Sequence, residues 1–143
     1  MERAGIAFTL HEYEHDPRSE SYGLEAAERL DMDPARVFKT LVVDADGSLA
    51  VAIVPVGGQL DLRQLGKRTT LAERPRVERT TGYVLGGVSP LGQRKQLPTT
   101  LDASALEHAT IFVSAGRRGL EVELDPRDLV RLVAAEVRAI ASP

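Results

Sequence analysis

The stretch that decides the fold runs from Val37 to Pro55 and reads VFKTLVVDADGSLAVAIVP. Residues 37–43 are rich in β-branched and apolar side chains, and residues 49–54 are almost entirely apolar. Between them, the sequence DADG at residues 44–47 is typical of a tight turn between antiparallel strands. Pro55 and two nearby glycines are typical of the end of the second strand. We therefore predict a β-hairpin here.

Lys39 interrupts the first strand of this predicted hairpin. Side chains alternate between the two faces of a strand, so Lys39 shares its face with Val37, Leu41 and Val43. Burial of an unpaired ammonium group is costly, and we expect the side chain to reach solvent or to contact an anion. A lysine on an edge strand that blocks aggregation is the other interpretation. The residues alone leave both open.

Further elements are predicted on both sides of the hairpin. Alternating apolar residues indicate a strand over residues 8–13, and apolar residues at helical spacing indicate a helix over residues 23–30. Downstream, the patterns predict a helix start or turn at Asp33–Pro34, an amphipathic segment over 60–65 ended by Gly66, and a helix over 72–80. They then predict a strand over 97–101 and a second hairpin, with strands 110–114 and 120–124 and a longer loop at 115–119.

A final helix is predicted near the end of the chain. Asp125 is a good N-cap, and Pro126 suits the first helical position. Apolar residues then recur at helical spacing with charged residues between them: Leu129, Val133, Val137 and Ile140. The pattern predicts one amphipathic helix that continues to Ile140.

The order of these elements predicts an α+β fold with a mixed, mostly antiparallel sheet. We expect the sheet to be curved or barrel-like, with flanking helices and a C-terminal helix. The sequence contains no repeat, linker or low-complexity tract. Residues 1–143 are therefore predicted to form a single domain.

Composition excludes several classes of protein. The chain has 143 residues, of which 43% are hydrophobic and 27% are charged, as in ordinary globular domains. It contains no cysteine, which excludes disulfides, thiolate metal sites and a cysteine nucleophile. No apolar run approaches the roughly 20 residues of a membrane span, and no secretory signal is evident. We expect a cytoplasmic protein without a membrane partner.

Charge is distributed unevenly along the chain. The net charge is −3, yet residues 63–95 contain eight basic and two acidic side chains. A concentrated basic segment in an acidic protein can form a local phosphate-binding face, or it can be a solvated helix with long cationic side chains. The acidic remainder argues against loose, charge-driven binding to DNA or to any other nucleic acid.

The histidines do not indicate a metal site. His11 and His15 are four residues apart in a predicted strand, where that spacing separates them by about 13 Å. His108 has no evident partner in the sequence. No serine lies in a Gly-x-Ser-x-Gly motif, so nothing supports a hydrolase triad. We predict no metal site.

The run GYVLGGVSPLG at residues 82–92 is rich in glycine. Gly86 and Gly87 allow a close backbone approach, and their amides can donate hydrogen bonds to an oxyanion or a phosphate. The run lacks the Gly-Lys-Ser/Thr of a P-loop. Glycines of this kind also occur in bulged strands of tight barrels, where they serve packing, and the residues leave both interpretations open. Gln93, Arg94 and Lys95 follow with side chains suited to phosphates.

Five stretches together resemble one family. They are YEHDP at 13–17, FKTL at 38–41, GGQLDL at 57–62, GYVLGGVSPLGQRK at 82–95 and VSAGRRGL at 113–120. In order and approximate spacing they are similar to the YbaK-type Cys-tRNA(Pro) deacylases, relatives of the editing domain inserted in bacterial prolyl-tRNA synthetases. The likeness covers nearly the whole chain. It fits the free-standing, cysteine-specific branch better than the alanine-specific branch.

The resemblance implies an activity and its partners. Members hydrolyse cysteine mischarged onto proline tRNA, and they act in trans beside prolyl-tRNA synthetase. The chemistry proposed for the family is substrate-assisted, with the thiol of the bound cysteine attacking its own ester carbonyl. No metal or organic cofactor is expected. The expected partners are the acceptor end of an aminoacylated tRNA and prolyl-tRNA synthetase.

The resemblance also implies site residues. Lys39 looks like the family's essential lysine, which anchors the terminal adenosine phosphate or nearby polar groups. Gly86 resembles the backbone that abuts the aminoacyl group, so these two residues are the catalytic candidates. The substrate-binding candidates are Tyr13, Tyr22, Thr40, Gly87, Ser114 and Glu121. The candidates for contact with the tRNA backbone are Arg94, Lys95, Arg117 and Arg118.

Two alternatives stay open at this stage. One is a deacylase with the same fold that acts on alanine attached to proline tRNA. The other is a non-catalytic module that binds tRNA or a synthetase through a decayed site. A side-by-side assay on Cys-tRNA and Ala-tRNA distinguishes the two enzymes, and binding without turnover indicates the module.

Overall fold

The computed structural model describes residues 5–16, 22–84 and 87–142, with the side chains of residues 22 and 23 excepted. The α-helices are α1 (Tyr22–Arg29), α2 (Arg74–Thr81) and α3 (Pro126–Val133). Two short 3-10 helices span Leu62–Leu65 and Ala103–Glu107. The strands are β1 (Phe8–Glu12), β2 (Phe38–Ala45), β3 (Ser48–Pro55), β4 (Gln59–Leu60), β5 (Thr69–Leu71), β6 (Thr99–Asp102), β7 (Ile111–Arg117), β8 (Leu120–Leu124), β9 (Glu136–Arg138) and β10 (Ala141–Ser142).

The strands form three sheets. The largest has the order β5-β2-β3-β6-β9, in which β3–β6 and β6–β9 are parallel and the other pairs are antiparallel. Strands β1, β8 and β7 form an antiparallel sheet, and β10 pairs with β4. These sheets confirm the predicted α+β fold with mixed, mostly antiparallel pairing. Among the described strands, none of the sheets closes into a barrel.

The predicted first hairpin is confirmed. Strands β2 and β3 pair over eight positions, from Phe38 opposite Pro55 to Ala45 opposite Ser48. The turn consists of Asp46 and Gly47, which both have positive φ angles, of 55° and 95°. A two-residue turn with both φ angles positive matches the right-handed twist of the strands, and Asp-Gly is a favoured sequence for it.

Both faces of this hairpin are buried. On one face, Phe38, Val42 and Ile53 join the main core, together with residues of β7, β8 and α3. On the other face, Ala52 and Val54 pack in a second cluster that includes Ile140. A strand that is buried on both faces needs a continuous run of apolar residues, which accounts for the composition of β3.

The C-terminal helix is confirmed, but its predicted extent is wrong. Helix α3 begins as predicted, with the Asp125 side chain accepting a hydrogen bond from Arg127 N at 2.9 Å. It ends at Val133, because Ala134 adopts the left-handed conformation with a φ of 53°. Residues 136–138 form β9 parallel to β6 instead. The sequence spacing of Val137 fits a helix, but pairing with β6 and burial of Ile140 favour the extended backbone.

The second hairpin also differs in one respect from the prediction. Strand β7 continues to Arg117 with a bulge between Ser114 and Arg117, and only Arg118 and Gly119 separate it from β8. The connection is therefore shorter than the predicted loop at 115–119. Gly116 and Gly119 have positive φ angles, of 113° and 90°, which a bulge and a tight turn require.

A buried carboxylate fastens the C-terminal segment to the large sheet. Asp102 is 5% exposed, and its Oδ1 accepts hydrogen bonds from Ile140 N at 2.9 Å and from Ala141 N at 3.0 Å. Its Oδ2 accepts hydrogen bonds from the Ser104 backbone and hydroxyl. Burial by itself raises the pKa of Asp102, but these hydrogen bonds outweigh burial and hold the pKa below its usual value.

None of the helices in the described ranges is long and apolar enough to cross a membrane.

Replacement of Asp102 by alanine is expected to destabilise the protein by about 2–4 kcal/mol, since it leaves buried backbone N–H groups without acceptors. Because the pKa of Asp102 is lowered in the folded state, its stabilisation is present above pH 4 or so and is lost as the pH falls through the folded pKa. Urea unfolding of wild type and Asp102→Ala at several pH values measures both effects. Asp125→Ala, which removes an exposed helix cap, is the control, with an expected cost of about 1 kcal/mol. Equal losses in the two variants would contradict the role assigned to Asp102.

Candidate functional site

The candidate site lies on the face of the small sheet that α1 covers. Alternation along β8 directs Val122 and Leu124 into the main core and leaves Glu121 on the opposite face. Glu121 lies between Ser114 on β7 and His11 on β1 in the strand register. Helix α1 contributes Ala26 and Ala27 to a cluster with residues 37, 56 and 112, and Tyr13 packs against that cluster. The carboxyl group of Glu121 therefore lies on the face of the small sheet that this apolar cluster covers.

Burial makes Glu121 a weak acid. The residue is 5% exposed, and burial raises the pKa of its carboxyl group to about 8. Burial is the sole cause of the shift, so no cation in the described part of the chain stabilises the charged form. At pH 7 the group is mostly a neutral carboxylic acid, which can donate a hydrogen bond as well as accept one.

Tyr13 lies close enough to Glu121 to respond to its charge. Burial is the largest cause that raises the pKa of the Tyr13 hydroxyl, and Glu121 and Glu25 raise it further. A backbone hydrogen bond with Gly119 opposes the rise. The backbone N of Tyr13 donates to Gly119 O at 2.9 Å, which fixes the segment after β1 against the second hairpin turn. Tyr13 and Glu121 therefore belong to one site.

Lys39 is half-buried, and only one hydrogen bond to its ammonium group is found among the described residues. Its Nζ donates to Gly58 O at 3.2 Å. Burial alone lowers the pKa of Lys39, so no described carboxylate compensates its charge. An ammonium group has three N–H donors, and two remain for a ligand oxygen.

The strand register brings Lys39 towards the small sheet. Val37 forms a parallel bridge with Phe112, and Phe112 N donates to Arg36 O at 2.9 Å. Two residues beyond the bridge on each strand, Lys39 shares the strand face of Val37, and Ser114 shares the strand face of Phe112. Since Ser114 is opposite Glu121, Lys39 and Glu121 lie on either side of the seam where β2 meets the small sheet, without an ion pair between them. Burial lowers the pKa of Lys39 and raises the pKa of Glu121, and each shift favours the neutral form of the group.

Comparison with known proteins identifies the family of the chain. Residues 19–132 match the model of the aminoacyl-tRNA editing domain. The chain belongs to this family. The resemblance stated from the sequence is thereby confirmed.

The chain is also similar to individual bacterial proteins and to solved structures. The "Putative Cys-tRNA(Pro)/Cys-tRNA(Cys) deacylase EbsC" of Enterococcus faecalis is 38% identical over 122 residues, which cover 81% of this chain and 74% of that protein. The uncharacterized protein YwhH of Bacillus subtilis is 28% identical over 110 residues, which cover 73% of this chain and 70% of that protein. A crystal structure described as "a putative trans-editing enzyme for prolyl tRNA synthetase" superposes with a TM-score of 0.82 at 25% identity, covering 95% of this chain and 87% of that one.

Of the predicted site residues of this editing domain, one faces away from Lys39, and two lie outside the described residues wholly or in their side chains. Thr40 occupies the opposite face of β2 from Lys39, and its Oγ1 is buried without a hydrogen-bond partner among the described residues. Gly86 lies outside the described residues, and so does the side chain of Tyr22. The roles assigned to these three residues stay predictions.

Gly87 is placed against the second hairpin. A Cβ atom at this position would lie 3.0 Å from Arg117 Cα and 3.3 Å from Arg118 N, closer than a side chain tolerates without movement of the backbone. The glycine therefore permits the glycine-rich run to contact the end of β7. This contact is a packing reason for the residue, and its predicted role in substrate binding stays a prediction.

The four basic candidates fall into two places. Arg117 lies at the second hairpin turn beside Arg118, and its guanidinium donates to Glu12 at 2.9 Å. Arg94 and Lys95 line a cavity beside the turn of the first hairpin. Their predicted contact with the tRNA backbone stays a prediction.

The histidines contact carboxylates. His11 Nε2 lies 2.9 Å from Glu123 Oε1, and Glu123 also accepts a hydrogen bond from Thr110 at 2.5 Å. His15 Nδ1 lies 2.6 Å from Glu25 Oε1. In the ranges 5–16, 22–84 and 87–142, no group of three potential ligands is arranged to hold a metal.

Sequence reasoning missed Glu25. This residue is 7% exposed in α1, accepts a hydrogen bond from Asp16 N, and influences the Tyr13 hydroxyl. Its only sequence signal is its position beside the small apolar pair at 26–27, which is also buried. The sequence gives no indication that His15 is its partner.

Replacement of Glu121 by glutamine is expected to change the pH dependence of stability. Because the folded pKa of Glu121 is raised to about 8, the native state binds the proton more tightly than the unfolded chain. Wild-type stability therefore falls between about pH 4.5 and pH 8, by up to about 1.4 kcal/mol per pH unit. Urea unfolding of Glu121→Gln across this range should lack that decline.

Glu123→Gln on the same face of β8 is the matched control. The hydrogen bond from Thr110 chiefly lowers the pKa of Glu123, against the effect of burial, so this substitution should reduce stability at neutral pH. A Glu121→Gln variant with the same pH slope as wild type would show that the carboxyl group titrates normally.

Proposed function

We propose that this protein is a trans-editing deacylase that hydrolyses the ester bond of misacylated tRNA, with Cys-tRNA(Pro) as its main substrate and Cys-tRNA(Cys) as a further candidate. Family membership and the name of the Enterococcus relative support the class of reaction. The observation that carries the proposal is Lys39, a half-buried ammonium group without a compensating carboxylate in the described structure. A group of this kind suits an anionic or strongly polar ligand.

The chemistry that best suits the chain draws its nucleophile from the substrate. The protein contains no cysteine, so a thiol nucleophile of its own is excluded. We propose that the thiol of the bound cysteine attacks its own ester carbonyl carbon. The new C–S bond replaces the C–O bond to the ribose, the thiol proton passes to the ribose oxygen, and the tRNA leaves with a free hydroxyl group. Water then hydrolyses the thioester.

The protein's contribution in this mechanism is position and electrostatics. Lys39 holds the terminal phosphate of the tRNA or the ester oxygen with its remaining N–H donors. Glu121, which is neutral near pH 7, donates a hydrogen bond within the aminoacyl pocket together with the hydroxyl groups of Tyr13 and Ser114. Neither step requires a metal or an organic cofactor.

The partners follow from the proposed substrate. A domain of this size, with a radius of about 14 Å, binds only the acceptor end of a tRNA, so prolyl-tRNA synthetase is proposed to contribute to selection of the tRNA. The solved relative with the trans-editing description supports this partner. The cytoplasm, where these partners act, stays the predicted location.

Replacement of Lys39 by alanine is expected to lower the rate of cysteine release from Cys-tRNA(Pro) by about 100-fold or more, as loss of one preorganised donor does in other acyl-transfer sites. Lys67→Ala, which removes an exposed lysine from the same chain, is the matched control and should leave the rate unchanged. The measurement is the initial rate of deacylation above the spontaneous rate, with thermal unfolding to confirm that both variants fold.

Rapid release by both variants would keep the activity and overturn the role of Lys39. Faster release of alanine than of cysteine from proline tRNA would change the substrate. Tight tRNA binding by wild type without turnover of either ester would indicate the non-catalytic module.

A further inference from the structure

A cavity lined by positively charged side chains lies at the turn of the first hairpin, apart from the candidate site around Lys39 and Glu121. Its volume is about 620 Å³, which is within the range of ligand pockets, roughly 300–1,000 Å³. The described residues that line it include four cations and no carboxylate. The cations are Arg76 and Arg79 of α2 and Arg94 and Lys95 of the segment before β6.

For three of these cations, the described residues provide no partner of opposite charge. Arg76 is partly neutralised, because its guanidinium donates to Asp44 at 2.8 Å and to Gly47 O at 2.9 Å. For Arg79, Arg94 and Lys95, no ion pair is found within the described ranges. In a protein with a net charge of −3, this cavity concentrates uncompensated positive charge.

The end of the cavity at the hairpin turn lies far along β2 from Lys39. Strand β2 separates Lys39 from the turn at Asp46–Gly47, and six residues of extended strand from Lys39 to Ala45 span about 20 Å. A free phosphate or a single nucleotide cannot bridge that distance. One strand of a stacked nucleic acid helix covers it with about six nucleotides, at 3.4 Å for each.

We propose that this basic cavity binds backbone phosphates of the tRNA acceptor stem, about 20 Å from the aminoacyl end held near Lys39. The inference rests on the proposed function for the position of the aminoacyl end. Guanidinium groups bind phosphate oxygens in a bidentate manner, and a lysine adds a point charge. The contact positions the tRNA without reading its sequence, since phosphates carry no base information.

The test uses the double variant Arg94→Gln/Lys95→Gln. Both residues lie outside the helices and strands, so their replacement leaves α2 intact. The matched control, Arg127→Gln/Arg131→Gln, removes two exposed positive charges from α3. Binding of uncharged proline tRNA is measured directly at several salt concentrations, and this readout does not depend on catalysis.

The Arg94→Gln/Lys95→Gln variant is expected to bind tRNA about 10-fold or more weakly at 0.15 M salt and to reduce the slope of log K against log salt by about 1–2. The α3 control should retain the wild-type affinity and slope. Wild-type affinity and slope in the cavity variant would overturn the proposal. Loss of binding to prolyl-tRNA synthetase, with tRNA binding intact, would also overturn it and would assign the cavity to an acidic protein surface.

A second substrate separates this proposal from the proposed function. The cysteinyl ester of adenosine monophosphate, a single nucleotide, is too short to reach from Lys39 to the end of the cavity at the hairpin turn. The cavity variant should cleave this short ester at the wild-type rate, while its KM for full-length Cys-tRNA(Pro) rises about 10-fold, in line with the loss of phosphate contacts. If wild type cleaves neither substrate, the proposed function fails, and the binding measurement still decides the role of the cavity.

Discussion

The β2–β3 hairpin is buried on both faces, and the rest of the structure depends on this constraint. One face packs into the main core and the other packs on a cluster that includes Ile140. Strand β2 nevertheless carries Lys39 near its beginning. Its ammonium group is therefore held partly among protein atoms, where a backbone carbonyl at Gly58 is its described partner. Removal of part of its hydration makes the charge available to a ligand at a cost to stability.

The same principle applies to Glu121 on the neighbouring sheet. Burial raises the pKa of this carboxyl group to about 8, whereas burial lowers the pKa of Lys39. Two oppositely charged residues that formed an ion pair would each be stabilised in the charged form, and the observed shifts have the opposite direction. The fold thus keeps the two groups apart on one seam. Functional sites commonly retain such destabilised groups because ligand binding uses them.

The second buried face of the hairpin is closed by the end of the chain. Asp102 accepts hydrogen bonds from the backbone of residues 140 and 141, and β10 then pairs with β4 beside Gly58. A Cβ atom on Gly58 would lie 2.8 Å from Ser142 O, so only glycine allows this close approach. The C-terminal strand therefore supports the loop whose carbonyl oxygen binds Lys39. Fold and candidate site are connected through this contact.

The sequence by itself determined the first hairpin, the start of α3 and the face of the strand on which Lys39 lies, because each of these depends on side chains a few residues apart. Family membership also followed from short motifs in order. Only the tertiary structure decided the strand pairing, the burial and the pKa of individual residues, because these depend on which other elements pack against them. Val137 fits a helical pattern yet pairs with β6, and Glu121 is an ordinary acidic residue in the sequence, yet burial in the fold raises its pKa to about 8. Arg79 and Arg94 are likewise brought to one cavity by the packing of α2 beside the hairpin turn. Burial and long-range strand pairing depend on residues that are distant in the chain, so local sequence patterns do not predict them.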